Sequence, residues 1–472
     1  MKKALNLLLL FIFDISAICI SLEISLFIRR VVFPPFIGFP EFVGDGLLTY
    51  WWVFPIYLFF FVYEGLLTKR FTFWDEIKHI WKASFFSTIT IFSILFLGKI
   101  GIKYSRTVVV LTGALSFFII PAIRLSAKRL LISIGLFRNK VIILGAGKTG
   151  QLVAKALKDE KNLGYKVAGF LDDDPGKVGR LIEGIKVHKG IDKVERYIGR
   201  SGINSVIIAM PGAGKERLNH LINSLQHKAE NILFIPDILG IAVLGTKIQH
   251  FFREQAFALE IQNNLAKPLN IFLKRCFDFT LGSLFLALLI LPIILISLLI
   301  RIDSSGSPIF SQKRVGKKGK TFRCYKFRTM YEDAEERLLE IISNNEDIRK
   351  EWEKSWKLKD DPRVTRVGRF LRETSLDELP QLVNVIKGEM SLVGPRPVIQ
   401  EEIDKYYRDS AELCFSVPPG ITGLWQVSGR SNTSYDYRIA LDSWYVRNWN
   451  LWLDIVIIFK TIKVILKREG AY

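Results

Sequence analysis

Hydrophobic and polar positions alternate along the chain in long blocks rather than in short amphipathic repeats. Four apolar runs occupy the first 140 residues, approximately 5–28, 47–67, 83–97 and 107–123. The third run is short for a bilayer, whereas the others are adequate for a membrane helix, which needs about 17–25 residues. The first run contains Asp14 and Glu23 and ends without a small-residue cleavage site, so it predicts an uncleaved span rather than a signal peptide.

Basic residues at the ends of these runs predict their orientation. Lys2 and Lys3 precede the first run, Lys69 and Arg70 follow the second, and a basic cluster beginning at Arg124 follows the fourth. Lysine and arginine accumulate on the cytoplasmic side of membrane proteins. If four helices cross the bilayer, the chain after Arg124 is therefore expected to lie in the cytoplasm.

A β-branched run followed by a glycine-rich turn opens the next segment, NKVIILGAGKTG. Gly145, Gly147 and Gly150 permit a tight turn that lets backbone amides approach a phosphate at a helix N-terminus. Asp172 ends a second predicted strand, where a Rossmann fold places its ribose-binding acid. The pattern predicts a doubly wound α/β domain, whose turn is either purely architectural or part of a nucleotide site.

A fifth apolar run, about 277–300, contains Pro292, which favours a helix kink. Lys274 and Arg275 precede the run and Arg301 follows it, so positive charge flanks both ends. We therefore expect a re-entrant helical hairpin that enters the inner leaflet and returns. The alternative is a full span, which would place the rest of the chain outside the cell.

Net charge and cysteine spacing restrict the kinds of partner that the chain is expected to bind. The 472 residues carry a formal net charge of +20, which suits nucleic acid, anionic lipid or phosphorylated substrates. The four cysteines are scattered along the chain without the spacing of a zinc site or a disulfide framework. The basic residues show no nucleic-acid-binding module, so we do not expect a nucleic-acid partner.

Arginines recur beside glycine, proline or aromatic residues in the last third of the chain. They are Arg328, Arg363, Arg372, Arg396 and Arg430, and Lys326 lies near the first of them. Guanidinium groups bind phosphate oxygens with two parallel hydrogen bonds. In the sequence GPRP the prolines restrict the backbone around Arg396, so its side chain loses less freedom on binding. These residues are predicted to bind phosphates.

Two adjacent acids, Asp377 and Glu378, lie among these arginines in the sequence SLDELPQL. Pro380 predicts that a helix begins close to them, and its dipole would lower the pKa values of both carboxyl groups. Ser375 and Glu378 could form an ordinary capping box. Alternatively, an ionised Asp377 could act as a nucleophile toward phosphorus or as a ligand for Mg²⁺.

The ordered set KFRTM, DPRVT, SLDELPQL, MSLVGPRP and PGITG resembles the bacterial polyprenyl-phosphate sugar-1-phosphate transferases, in their long monotopic form. The resemblance implies transfer of a hexose-1-phosphate from a UDP-hexose to undecaprenyl phosphate, which releases UMP and initiates a surface polysaccharide. It further implies that Asp377 forms a covalent phosphosugar intermediate and that Glu378 orients or deprotonates the lipid phosphate. Mg²⁺, with Asp377 as a contact, would neutralise the diphosphate.

Overall resemblance favours galactose as the sugar, with glucose as the alternative. We also expect a homodimer in the bacterial inner membrane, in contact with membrane lipids, with its aqueous domains in the cytoplasm. A non-catalytic polysaccharide assembly scaffold is a further alternative. An NAD-dependent oxidoreductase is disfavoured, because no Tyr-x-x-x-Lys pair follows the glycine turn in the Rossmann-like region.

The predicted fold is a membrane protein of mixed α/β class. Its segments are a four-span domain (1–138), a Rossmann-like domain (139–250), a linker (251–264) and a mainly α catalytic domain (265–472) anchored by the re-entrant helix. The last predicted helix, WNLWLDIVIIFKTIKVILKR, either lies in the membrane interface or packs on the catalytic core.

Overall fold

The computed structural model describes residues 2–34, 46–99, 104–198, 202–236, 247–251, 256–260, 264–344, 346, 349–350, 358, 361–428 and 434–467. The chain forms two compact units, Met1–Ile238 and Leu239–Tyr472.

The N-terminal unit begins with four helices: α1 (Lys2–Phe27), α2 (Val53–Tyr63), α3 (Phe73–Leu97) and α4 (Arg106–Ser133). By length and composition, α1, α3 and α4 can cross a membrane. Helix α2 has only 11 residues, because a 3₁₀ turn precedes it and the chain turns at Gly65, whose φ is +75°. The second predicted span is thus a short helix, well below the roughly 20 residues of a full crossing.

Helix α3 begins ten residues before the apolar run that predicted it. Thr72 caps its N-terminus by accepting a hydrogen bond from the Asp75 backbone amide. The polar first turns belong to the helix because Glu76 is fully buried in a cluster of opposite charges. We call Asp14, Glu76, Arg124 and Lys128 the buried ion cluster.

The buried ion cluster joins three membrane helices to the domain that follows them. Arg124 pairs with Asp14 and, at 2.8 Å, with Glu76, while Lys128 lies 2.6 Å from the second Glu76 oxygen. Asn162 also donates to this second oxygen at 2.6 Å. Charged side chains within apolar helices are therefore compensated by one another, and Glu76 links α3 to the Rossmann-like domain.

The Rossmann-like domain contains a six-stranded sheet in the order β3-β4-β2-β1-β5-β6. The strands are β1 (Asn139–Leu144), β2 (Tyr165–Asp172), β3 (Leu181–Ile182), β4 (Ile185–Lys189), β5 (Ile203–Ile208) and β6 (Asn231–Phe234). All neighbours pair in parallel except β3 and β4. The central strands are continuous apolar runs because helices α5 (Lys148–Asp159) and α6 (Lys215–Gln226) help to bury them.

In the C-terminal unit, strands β7 (Lys247–Phe251) and β8 (Ala256–Glu260) form a hairpin that overlaps the predicted linker. Helix α7 (Pro268–Asp303) then runs for 36 residues with Pro292 inside it. The two arms of the predicted hairpin belong to one continuous helix, in which Pro292 marks the position of the expected bend.

Both ends of α7 pack against the same unit. Near one end, Asp278 accepts hydrogen bonds from the Ser391 hydroxyl and the Leu392 amide. Near the other end, Ile296 and Ile300 join a core cluster with Phe327. Between these ends lies an exposed apolar surface that includes Leu284, Leu288, Leu291, Leu295 and Leu298.

The rest of the unit is built from small elements around several core clusters. Strands β9 (Ile309–Val315) and β10 (Thr321–Phe327) are antiparallel, and β11 (Ser391–Val393) pairs in parallel with β12 (Gly420–Thr422). The helices are α8 (Ala334–Asn344), α9 (Arg366–Thr374), α10 (Gln381–Lys387), α11 (Tyr435–Asn448) and α12 (Leu451–Lys467). Helix α12 buries one face on the core through Val456 and Ile457 and exposes Ile462 and Leu466. Its position therefore fits both sequence-based interpretations.

Candidate active site

The two adjacent acids lie in a 3₁₀ turn, Leu376–Glu378, between α9 and α10. Ser375 ends α9 in the left-handed conformation, with φ at 57°, and its side chain makes no capping hydrogen bond. The capping box is therefore not formed. Helix α10 begins at Gln381, after Pro380, three residues beyond Glu378 and close to the predicted start.

Lys326, near the end of β10, holds the acid pair together. Its Nζ lies 2.7 Å from Oε1 of Glu378 and 3.5 Å from Oδ2 of Asp377. Burial lowers the pKa of this ammonium group, but the two carboxylates outweigh that effect and raise it overall. Lys326 consequently stays charged beside both acids.

The pKa of Asp377 is raised, whereas the sequence predicted a lowered value. Burial is the largest cause, and the charge of Glu378 adds to it. Lys326 and Arg372 act in the opposite direction without reversing the shift. The expected helix dipole does not compensate, because the acids precede α10 rather than occupy its first turn.

Arg372 approaches the acids from α9. Its Nε donates to the Thr329 hydroxyl at 2.9 Å, and its charge acts on Asp377. Gly368 allows this arrangement, because a Cβ atom there would lie 2.0 Å from the carbonyl oxygen of Thr329. The glycine of the sequence RVGR thus lets α9 lie directly against the chain that follows β10.

Arg396 approaches from the turn after β11. Its guanidinium lies 5.7 Å from the centre of the Trp425 ring, and its charge acts on Lys326. The GPRP and PPGITG motifs are in contact, since a Cβ atom on Gly420 would lie 2.1 Å from the Gly394 nitrogen. Arg372 and Arg396 are therefore the predicted arginines whose charges act directly on the acid pair or its lysine.

Other predicted arginines bind protein groups. Arg363 is buried and pairs with Asp361 through contacts of 2.8 and 2.6 Å. Arg328 donates to the carbonyl and hydroxyl oxygens of Ser304 at the end of α7. These contacts order the chain around the site. Arg430 lies outside the described residues.

A buried polar network holds the chain that leads into the GPRP turn. The carbonyl oxygen of Val393 accepts hydrogen bonds from Lys274 at 3.1 Å and from the Tyr445 hydroxyl at 3.0 Å. Lys274 and Tyr445 both also contact Asp454, each at 2.7 Å. The network joins α7, α11 and α12 to the end of β11.

Sequence reasoning missed several residues of this site, including Trp425, Arg438 and Asp442. Arg438 lies 4.8 Å from the Trp425 ring centre, and Asp442 is buried one helical turn further along α11. The i, i+4 spacing of Arg438 and Asp442 was visible in the sequence. Nothing in that spacing indicated contact with the distant GPRP motif.

The carboxylates of Asp377 and Glu378 fit the way in which proteins bind Mg²⁺. In the described part of the chain, no group of three His, Cys, Asp or Glu side chains could hold an ion alone. Mg²⁺ typically binds to one or two carboxylates and takes its remaining ligands from water and substrate phosphates. Asp377 and Glu378 suit this mode.

Backbone geometry and helix capping explain the glycines in the turn of the Rossmann-like domain. Gly145 has φ at +95°, and a Cβ atom on Gly150 would lie 2.1 Å from the Gly145 carbonyl oxygen. Gly147 caps the N-terminus of α5. Asp172 accepts hydrogen bonds from the amides of Ala146 at 2.8 Å and Asp174 at 2.9 Å, so each carboxylate oxygen already has a backbone partner.

Comparisons with known proteins assign each half of the chain to a described domain. Residues 269–468 match the family described as bacterial sugar transferase, and residues 62–236 match one described as a CoA-binding domain. The second match begins within α2, so it covers α3, α4 and the parallel sheet together.

Similarity over most of the chain extends to proteins with named activities. The chain is 41% identical to a UDP-galactose-lipid carrier transferase of Erwinia amylovora, over 86% of this chain and 84% of the relative. The chain is likewise 41% identical to an undecaprenyl-phosphate galactose phosphotransferase of Salmonella typhimurium, over 86% of this chain and 84% of the relative. A UDP-glucose:undecaprenyl-phosphate glucose-1-phosphate transferase of Escherichia coli is 30% identical, over 72% and 70%.

Proposed function

Because the chain belongs to the bacterial polyprenyl-phosphate sugar-1-phosphate transferase family, we propose that it transfers galactose-1-phosphate from UDP-galactose to undecaprenyl phosphate. The observation that carries this proposal is the partly buried pair of Asp377 and Glu378 held by Lys326. The reaction releases UMP and yields the first lipid-linked sugar of a surface polysaccharide. Galactose is preferred over glucose because the relatives at 41% identity are named for galactose.

Asp377 is the nucleophile in this proposal. An ionised Oδ atom attacks the phosphorus that carries the sugar, and the bond from that phosphorus to the bridging oxygen breaks. UMP leaves with the bonding electron pair, and the sugar phosphate remains on Asp377. An oxygen of undecaprenyl phosphate then attacks the same phosphorus, which frees the Asp377 carboxylate.

The neighbouring charges stabilise these steps. Lys326, Arg372 and Arg396 surround the acids with positive charge, where phosphoryl transfer develops negative charge. Glu378 orients the lipid phosphate or accepts its proton. Mg²⁺ bound at Asp377 would neutralise the diphosphate when it is present.

Helix α7 places this chemistry at the membrane surface. Since its two ends pack on one unit and its middle exposes leucines, we propose that it enters one leaflet and returns. The acid pair then lies at the cytoplasmic face of the inner membrane, where a water-soluble UDP-sugar meets a lipid phosphate. The homodimer belongs to the same proposal and is tested by the mass of the detergent-purified protein.

The first experiment measures UMP release by purified protein with Mg²⁺, from UDP-galactose or UDP-glucose, with and without undecaprenyl phosphate. We expect steady release with lipid and galactose, and one UMP per active site without lipid, because the covalent intermediate then accumulates. Asp377→Asn should lower turnover by at least about 10³-fold. Asp404→Asn, at an exposed acid, is the control that should retain turnover.

The outcomes separate the alternatives. Stoichiometric release without lipid should be accompanied by a sugar-phosphate mass on the peptide that contains Asp377. Substantial turnover by Asp377→Asn would refute the nucleophile assignment. Release from UDP-glucose alone would change the sugar, and no release from either donor by folded protein would favour a non-catalytic scaffold.

A further inference from the structure

Phe310 is an exposed aromatic residue beside the acid pair. It lies on β9, where 51% of its surface is exposed. In the antiparallel ladder it stands directly opposite Lys326 of β10. Directly opposite residues carry their side chains on the same face of the sheet, with Cβ atoms about 4.5–5.5 Å apart. The ring of Phe310 and the ammonium group of Lys326 therefore leave the hairpin on one side.

The contacts of Lys326 show which part of the protein this face meets. Its Nζ lies 2.7 Å from Oε1 of Glu378 and 3.5 Å from Oδ2 of Asp377. The acid pair consequently lies over the face that carries Phe310. Further along the same face of β10, Phe322 and Cys324 are buried in the core. The core thus covers one part of the face, and Phe310 borders the part that adjoins the acid pair.

The proposed reaction determines which substrate group would meet this ring. Asp377 attacks the phosphorus that carries the sugar, so this phosphorus must come into contact with the Asp377 carboxylate. The sugar is bonded to the same phosphorus through a single oxygen. The uracil base, in contrast, is separated from it by a second phosphate and a ribose. The hexose is therefore the donor group that best reaches a residue paired with Lys326.

An aromatic face is chemically suited to a hexose ring. The face of a phenyl ring carries the negative part of its quadrupole. The C–H groups of a sugar carry partial positive charge, because oxygen atoms are bonded to the same carbons. Galactose presents several of these C–H groups together on one side of its ring. Contact between the two rings also removes apolar surface from water.

The neighbours of Phe310 fit a polar ligand better than the hydrocarbon chain of the lipid acceptor. The next residue on this face of β9 is Gln312, whose Oε1 accepts a hydrogen bond from Arg314 at 2.7 Å. Lys326 stands across the ladder. A ring that entered hydrocarbon would take this amide and these charges with it, which is costly. A sugar instead offers hydroxyl groups to such neighbours.

We propose that Phe310 is a substrate-binding residue, whose ring packs against the hexose of the sugar donor. The inference rests on the proposed function and adds a sugar-binding surface to it. Strand β9 then contacts the sugar, while β10 supplies the lysine that holds the acid pair.

Binding of UDP-galactose compared with UDP tests this contact, because UDP keeps the uridine and the diphosphate but lacks the sugar. Both ligands are titrated calorimetrically into the full chain carrying Asp377→Asn, which should bind the donor without consuming it. Adding Phe310→Leu should raise the Kd of UDP-galactose about tenfold, the scale of one lost aromatic contact. The Kd of UDP should change less than about twofold. Phe310→Trp keeps an aromatic face and should stay within about threefold of the parent for both ligands.

Ile309→Ala is the matched control. Ile309 precedes Phe310 on the same strand and is also exposed, at 37%, but its side chain points to the other face. The change should leave both Kd values within about twofold. A loss of UDP-galactose affinity equal to that of Phe310→Leu would trace the effect to the strand rather than to the ring, and would overturn the inference.

Three further outcomes would contradict the inference. Equal weakening of UDP and UDP-galactose by Phe310→Leu would place the ring against the nucleotide. Unchanged Kd values with a raised KM for undecaprenyl phosphate, measured with Asp377 intact, would place it against the lipid. No change in any of these constants would exclude a substrate contact.

Failure of the proposed function has a different signature. It would appear as no UMP release by the wild-type protein from either donor. The selective loss of UDP-galactose affinity is measured by binding alone and does not require turnover. The two failures are therefore distinguishable.

Discussion

At the scale of single residues, Lys326 controls which form Asp377 takes. Burial and Glu378 raise the pKa of Asp377, and Lys326 lowers it. The proposed nucleophile must be ionised to attack phosphorus, so we expect activity to depend on the balance between the like charge of Glu378 and the opposite charges of Lys326 and Arg372. The diphosphate of a UDP-sugar adds negative charge beside Asp377. The positive charge of Lys326 therefore becomes still more important for keeping Asp377 ionised.

Two substitutions should shift the acidic limb of the pH profile in opposite directions. Lys326→Gln removes a positive neighbour, raises the pKa of Asp377 and moves the limb to higher pH. Glu378→Gln removes a negative neighbour and moves the limb to lower pH. The UMP burst without lipid acceptor, measured against pH, isolates the attack by Asp377. Shifts in the same direction would show that the acidic limb reports the titration of another group. Lys326→Arg, which keeps the positive charge, is the control.

The sequence predicted the composition of the site better than its electrostatics. Asp377, Glu378, Lys326, Arg372 and Arg396 were chosen from motifs, and the structure brings them together. The lowered pKa was wrong because the sequence does not show how deeply a carboxyl group is buried. Nor could the contact of Arg328 with Ser304 be predicted, since 24 residues and a tertiary fold separate them.

At the scale of elements, the site depends on how closely α9 approaches the end of β10. The two segments meet at Gly368 and Thr329, and Arg372 bonds to Thr329 one helical turn later. The same threonine therefore receives both the backbone contact and the arginine. A change in this spacing would move the guanidinium relative to the acids.

Gly368→Ala should destabilise the protein and impair catalysis together. A methyl group 2.0 Å from the Thr329 oxygen forces α9 outward, and overpacking of this kind costs about 1–3 kcal/mol. Thermal unfolding and UMP release measure the two effects. Gly212→Ala is the matched control, because no atom lies within 4 Å of the added methyl group. Wild-type activity in Gly368→Ala would show that the spacing is not critical.

Hydrophobic patterning predicted where helices lie but not where they stop. The run at 47–67 predicted a span, whereas a 3₁₀ turn and Gly65 limit the α-helix to 11 residues. The polar start of α3 was missed because Glu76 looks like a solvated residue until its partners are known. The parallel sheet was easier to predict, since β-branched runs and a glycine turn are local signals.

At the scale of the whole molecule, side-chain contacts as well as the polypeptide chain connect the membrane helices of the N-terminal unit to its Rossmann-like domain. Glu76 contacts Arg124 and Lys128 within the helices and Asn162 in the domain. Arg70 adds hydrogen bonds to the carbonyl oxygens of Leu163 and Phe137. The boundary that the sequence predicted at residue 138 falls inside this joined unit.

Glu76→Ala should destabilise this unit strongly. The substitution leaves Arg124 paired with Asp14 and removes the acid that Lys128 contacts, and breaking a buried ion pair costs about 3–5 kcal/mol. We expect a lower Tm in detergent and faster hydrogen exchange around residues 160–165. Lys228→Ala, at the exposed pair with Glu195, should cost less than about 1 kcal/mol. Equal Tm values for the two variants would contradict the role of the cluster.

The buried ion cluster also constrains biogenesis. Asp14 and its partner Arg124 are separated by 110 residues, so the first helix leaves the ribosome long before its counter-charge is made. During that interval the carboxyl group must stay protonated, stay near the lipid headgroups, or be shielded by the insertion machinery. The helices therefore cannot reach their final arrangement one at a time. The last contact, from Asn162, closes only after the first strand and helix of the aqueous domain have emerged.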